Sequence, residues 1–373
     1  MDKGTHEVNG NGLPADDHPS VPVFYWLKGS DTQNFGDFLT ELFLRQAFTK
    51  PRVSASAYRL IGSVVEESII QDDLKQLGYR KSAKIAFWCC GARDQGKPRK
   101  QSLNHTIFCG ARGPLTRDVL GLPKDTTLGD PAMLLPLLYG SQPSATTKGN
   151  AICVPHFGDR KSNEELLAIS RADVVIRPNI KNTIEDLLRI LDDIASASFV
   201  LAGSLHSAIV ACAYGVPFCF WDNGHLDVPF KWRDFSASVN IGTSFVTSVE
   251  DGRYVYDGLH RKNLKRPPLF PILAAAPFHV KKQLLLAAAI SDAANGNHAA
   301  DLDPLALEEV IEKCHSLATL SGLEESISNL PGACQFDGKF LQTRSSAFYR
   351  CRAVTKIENV LHMFMRKSAR RSY

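Results

Sequence analysis

The 373-residue chain has no unbroken apolar run long enough to cross a bilayer. Its longest apolar stretch, 269–290, is interrupted by Pro271, Pro277, His279, Lys281 and Lys282. There is no metal-ligand spacing among the nine cysteines. Adjacent Cys89 and Cys90 point to opposite faces of a strand, which excludes an ordinary local disulfide. The cysteines therefore read as small buried hydrophobes in a reducing compartment. A large excess of one charge is also missing. A net charge of +4 does not argue for nucleic acid, and it suits a protein that handles acidic small molecules or touches an anionic surface. The first twenty residues, Met1 to Ser20, have no apolar core. They read as a disordered leader and not a signal peptide, with the cytoplasm as the default address.

What is present is ordinary in amount and ordered in pattern. Hydrophobic and charged fractions of 44% and 22% fit a globular chain, and the length allows two domains plus a tail. The chain is organised around 199–217. The apolar run Phe199 to Ala202 reads as a buried parallel strand. Gly203 and Ser204 turn it, with Ser204 as a natural N-cap. From Leu205 a helix follows, carrying Ala208, Ile209, Cys212 and Ala213 at helical spacing and closed by Gly215 and Pro217. A strand turning through glycine into a helix directs backbone N–H groups and a positive dipole end at one point, which makes an anion site. His206 sits on its rim. The plain alternative is a helix-start histidine hydrogen-bonded to backbone.

Read in order, strands alternate with helices twice over, the pattern of α/β domains with open parallel sheets. The expected divisions are a leader (1–20), an N-terminal Rossmann-like domain (21–145) and, after a Gly/Ser/Thr-rich link, a second Rossmann-like domain (150–245). A return segment and helix packing on the first domain (246–298) and a helical basic extension (299–373) complete the chain. Asn34, Asp37, Arg112, Asp130, His156 and His206 all fall just past the C-terminal ends of expected strands, the edge where open α/β sheets bind ligands. Asn34 to Asp37 are placed in a strand-to-helix loop, with Asp37 as the helix cap. Gly36 suggests close approach to a ligand. Lys231 and Arg233 flank Trp232 after the last expected strand, where a solvated surface turn is the plain alternative. Between Lys339 and Tyr373 nine Lys or Arg face one acid, Glu358, with Val354, Ile357, Leu361 and Phe364 on one helical face. Such a helix lies on an anionic membrane or docks on the main body.

The ordered set Asn34-Phe-Gly-Asp37, Arg112-Gly-Pro-Leu-Thr116, Leu128-Gly-Asp-Pro131, Ser204-Leu-His206, Ala213-Tyr-Gly-Val-Pro217 and Lys231 to Phe235 resembles the polysaccharide pyruvyl transferase family. The nearest likeness is to its exopolysaccharide members, similar to succinoglycan biosynthesis ketolases. The resemblance implies two domains facing across a cleft as in GT-B glycosyltransferases. It also implies phosphoenolpyruvate as donor and co-substrate, a saccharide acceptor that is lipid-linked, and no metal or redox cofactor. Carried over by motif, Arg112 meets the donor carboxylate or phosphate, and His206 is a phosphate ligand or the proton donor to C3. Arg233 adds a phosphate contact, and Asp37 is the base for an acceptor hydroxyl. Asn34, Gly36, Asp130, His156, Gly203, Ser204, Leu205 and Lys231 complete the expected binding set. Two rivals are a GT-B-type nucleotide-sugar glycosyltransferase and a non-enzymatic, anion-binding regulatory member. Against the first, no Glu follows His206 in its helix to hold a ribose. Against the second, Arg112 and His206 are both present.

Overall fold

The computed structural model describes residues 21–26, 32–224 and 226–295. The expected leader and basic extension lie outside the described residues.

Apolar runs buried on both faces form the parallel strands. The first sheet holds β1 (Ala57–Arg59), β2 (Ile85–Trp88) and β3 (Thr106–Cys109), all parallel, with Ala57 opposite Ile85 and Ile85 opposite Thr106. Among the described residues 21–26, Val23 bridges to Tyr58, with Phe24 N–H donating to the Tyr58 carbonyl. Pro22 beside it has no N–H to extend the ladder. Beyond β1 and β2 the chain kinks at Gly62 (φ +108°) and Cys89 (φ +50°), and Ser63–Val65 then pairs in parallel with Gly91–Ala92. The sheet thus continues as a narrow two-stranded tip. The next helix starts at Glu67. The stretch 127–132 contributes one bridge, Ala111 to Leu128, and Asp130 then caps a 3-10 turn at Pro131–Leu134.

The second sheet is built from β4 (Ala151–Val154), β5 (Val174–Val175), β6 (Phe199–Ala202), β7 (Phe218–Trp221) and β8 (Phe245–Val246), all parallel, in the order β8-β7-β6-β4-β5. That is the doubly wound order in which the winding direction reverses between β4 and β6. The first sheet runs Val23, β1, β2, β3, Leu128 in chain order and has no such reversal, so a Rossmann-like strand order is confined to the second.

Four helices position the site: α1 (Phe35–Gln46), α2 (Pro114–Leu120), α3 (Leu205–Tyr214) and α4 (Pro229–Ser238). Helix α2 starts on Pro114 and stops at Gly121 in the left-handed region (φ +68°), as its sequence requires. Lys231 and Arg233 lie within α4, not in a surface turn, and β8 follows them, so β7 is not the last strand. Gln33–Asn34 pairs antiparallel with Asn179–Ile180 and ties the start of α1 to the half that carries the second sheet. After β8 the chain comes back. Phe278–Val280 pairs antiparallel with Phe48–Pro51, and the Trp88 indole donates to the Ile272 carbonyl at 2.8 Å. One hydrophobic cluster, from Val23 to Ala288, draws on both sheets and the returning helices. None of the described helices is long and apolar enough to cross a membrane.

Candidate active site

The reversal between β4 and β6 puts their C-terminal ends side by side, with His156 past one and Gly203 to His206 past the other. Gly203 permits this approach: a Cβ there would stand 3.2 Å from the Pro155 Cα and from the Val154 carbonyl oxygen. The anion site takes a different form from the one the sequence suggests. Gly203 N–H and Ser204 N–H both donate to the Val154 carbonyl, at 2.7 and 3.2 Å, and Ser207 N–H donates to Ser204. The first turn therefore leaves at most the N–H groups of Leu205 and His206 for a ligand. Ser204 occupies the N-cap position without a side-chain capping bond.

His206 is buried, and its Nε2 has no hydrogen-bond partner among the described residues. Gly36 backs the ring so closely that a Cβ would lie 2.0 Å from Nδ1, which gives that glycine its reason. Burial first, then the positive charges of Arg112 and Lys231, pull the imidazole down to about 3, so it is neutral at pH 7.

Arg112 is fully buried and spans the strand tips. Its guanidinium donates to Ser63 Oγ, to the Ala92 carbonyl at 3.4 Å, and through Nε to Asp234 Oδ2 at 3.3 Å. Gly91 makes room for it, since a Cβ would sit 2.1 Å from the guanidinium. Asp234 in turn accepts from Thr116 N–H at 2.9 Å and Thr116 Oγ1 at 2.6 Å, capping α2 from α4. Every arm of Arg112 is thus engaged by protein, and the structure gives it no open face toward a donor.

Asn34 precedes α1 as its N-cap residue. Phe35, Gly36 and Asp37 form the first helical turn and are not a loop. Asp37 is not the cap; it accepts from Asn34 Nδ2 at 2.7 Å. Burial raises the Asp37 pKa, against the pull of that hydrogen bond and of Arg59, Lys231 and Arg93. Asp130 Oδ1 caps Ala132 N–H at 2.9 Å, while Oδ2 is buried without a partner among the described residues. Its carboxyl is pushed up to about 6 by burial, with Arg112 opposing.

Lys231 is buried and bonded to Asp227, which also faces His156 Nε2 at 3.5 Å and Arg93 at 3.9 Å. Burial lowers the Lys231 pKa, while Asp227 opposes the shift. Arg233 does not join this buried group. It is exposed, with its guanidinium 5.9 Å from the Phe230 ring, on an open cleft of about 690 Å³. Sequence reasoning missed Arg59, Arg93, Asp227 and Asp234. Arg59 ends β1, pairs with buried Asp73 at 2.6 Å and acts on Asp37. Its position past a strand was the available signal. Arg93 and Asp227 lie in stretches with no local pattern to mark them. Cys89 and Cys90 are buried, with thiols pushed up by burial, and offer no nucleophile. No cluster of three or more His, Cys, Asp or Glu suited to a metal ion occurs among the described residues.

A doubly wound sheet with a buried imidazole among buried cations at its switch point defines the class, an α/β protein whose candidate site lies past the strand ends. The family model described as polysaccharide pyruvyl transferase matches residues 80–225, the stretch that holds Arg112, Asp130, His156 and Gly203 to His206. Over that stretch the chain is similar to the polysaccharide pyruvyl transferases, a family of transferases. No curated protein and no solved structure matches it.

Proposed function

We propose that the protein transfers pyruvate from phosphoenolpyruvate to two hydroxyls of one sugar, making a cyclic ketal on a lipid-linked or exopolysaccharide acceptor. The observation that carries this reading is the buried, unpartnered His206 Nε2 at the switch point, set between the charges of Arg112 and Lys231. A phosphate brought there supplies the missing partner and reverses the electrostatics that keep the ring neutral. The protonated ring then donates to C3, C2 becomes electrophilic, and the acceptor hydroxyls add as phosphate leaves. Of the two hydroxyl protons, one replaces the proton delivered to C3 and the other departs with phosphate. Asp37, with its raised pKa, is the base that receives a hydroxyl proton. Lys231 and the N–H groups of Leu205 and His206 hold the phosphate. Arg112 acts from behind as fixed positive charge.

In this reading the halves 21–145 and 150–245 face each other as in GT-B enzymes, with the donor on the second. The cations already on the protein balance the donor, so turnover persists in excess chelator; loss of activity restored by a divalent ion would overturn that point. The basic segment 339–373 brings the enzyme to an anionic membrane face on the cytoplasmic side, where the acceptor is anchored. Truncation after Asp337 should then weaken binding to anionic vesicles and turnover of a lipid-linked acceptor, while a short soluble acceptor is turned over nearly as before. The deciding assay is phosphate release from phosphoenolpyruvate with a panel of lipid-linked oligosaccharides. Release that is independent of every acceptor, or that depends on a nucleotide-sugar instead, would sink the proposal.

A further inference from the structure

The open cleft of about 690 Å³ beside the buried cluster is bordered by Glu66, Arg93, Asp94, Gln95, Phe230 and Arg233. Its formal charges cancel, with two arginines against two carboxylates. Planar polar groups of both kinds stand there with an amide and an aromatic ring. Carboxylates and amides accept from hydroxyls, guanidinium groups donate to them, and a ring packs against C–H faces. An anion would meet Glu66 and Asp94 as readily as the arginines. A neutral, hydroxyl-rich ligand suits the lining better.

Two further observations connect this cleft with the chemistry. Arg93 belongs to both places: its Nε meets Glu66 at 3.0 Å on the cleft side, and its far end approaches Asp227 at 3.9 Å, while its charge is felt at Asp37. Val228, also on the cleft wall, is held at φ +46°, a left-handed conformation that a β-branched residue adopts only under constraint. Strain of this kind gathers at ligand clamps. Here it lies between Asp227, which bonds Lys231, and Phe230 on the cleft wall.

We infer that this cleft is the acceptor subsite and takes an uncharged saccharide, with Arg93 marking the boundary between it and the donor pocket. The inference rests on the transferase reading above, but it concerns different residues and is tested by a different readout. The full chain would be applied to a printed array of neutral and uronic-acid oligosaccharides, with phosphoenolpyruvate affinity measured separately by calorimetry. The wild type should retain at least one neutral saccharide. The double variant Gln95→Ala/Arg233→Ala, both positions exposed, should lose that signal at least tenfold while its phosphoenolpyruvate Kd stays within about twofold. Saccharide binding unchanged in the variant, binding of acidic sugars only, or no saccharide binding by the wild type would each overturn the assignment. So would a parallel loss of phosphoenolpyruvate affinity, which would give the cleft to the donor. Saccharide binding by a wild type that ignores phosphoenolpyruvate would leave the cleft standing and remove the donor reading.

Discussion

His206 is neutral because it is buried beside Arg112 and Lys231, and that has measurable consequences. A dianionic donor favours the imidazolium, so binding at neutral pH should take up close to one proton. Calorimetry in buffers of different ionisation enthalpy would register the uptake, and a buffer-independent enthalpy would show that the ring does not meet the donor. His206→Ala should lower phosphate release by about 10²–10⁴-fold with the fold intact. Near-normal turnover in a folded variant would remove the residue from the site. The same residue shapes acid stability. Its folded pKa, about 3, lies below its ordinary 6.5, so the unfolded chain binds the extra proton between those values and stability falls as pH drops through that window. Asp130 works in the opposite sense: its folded pKa of about 6 exceeds 3.8, so it costs stability as pH rises through that range. Asp130→Asn keeps one oxygen for Ala132 N–H and should steepen the rise of Tm with pH below about pH 6. An unchanged profile would mean that the buried carboxyl does not titrate there.

At the scale of elements, the join between α2 and α4 matters most. Asp234 both neutralises Arg112 and caps α2, so Asp234→Ala leaves a buried guanidinium without its counter-charge. A loss of about 3–5 kcal/mol is expected in urea unfolding; a loss below about 1 kcal/mol would mean that water replaces the carboxylate. Gly91→Ala tests the same junction sterically and should cost about 1–3 kcal/mol by crowding the guanidinium. The strand of the organising motif, its glycine turn and its helix were legible because each carries local chemistry: a doubly buried apolar run, a tight approach and small residues on a packed face. The chemistry of Arg112 was not. Its motif marks a turn into a helix, but the groups that occupy it, Ser63, Ala92 and Asp234, lie 49, 20 and 122 residues away. Asp37 was misplaced by a few residues because Asn34, a good capping residue, occupies the N-cap position but uses its amide on Asp37. The distinction is invisible in a string of residue types.

At the scale of the whole molecule, the second sheet's strand order follows from apolar runs and helix-length crossovers, whereas the first sheet's departure from that order depends on kinks at Gly62 and Cys89. The pairing of Phe278–Val280 with Phe48–Pro51, and Arg52 donating to the carbonyls of Ala274 and Ala276, make the returning segment part of the first half. A chain ended at residue 263 should therefore expose Phe48 and Trp88 and aggregate; a soluble, cooperatively unfolding product would show that the return is an accessory. The bond between Arg112 and Asp234 also has a meaning in time. A ribosome adding about 5–20 residues each second needs roughly 6–24 s to travel the 122 residues from one partner to the other. For that interval the nascent first half carries a guanidinium that has Ser63 and Ala92 as partners but not its counter-charge. Its strand tips therefore gain their full set of charge partners only once the second half has been made.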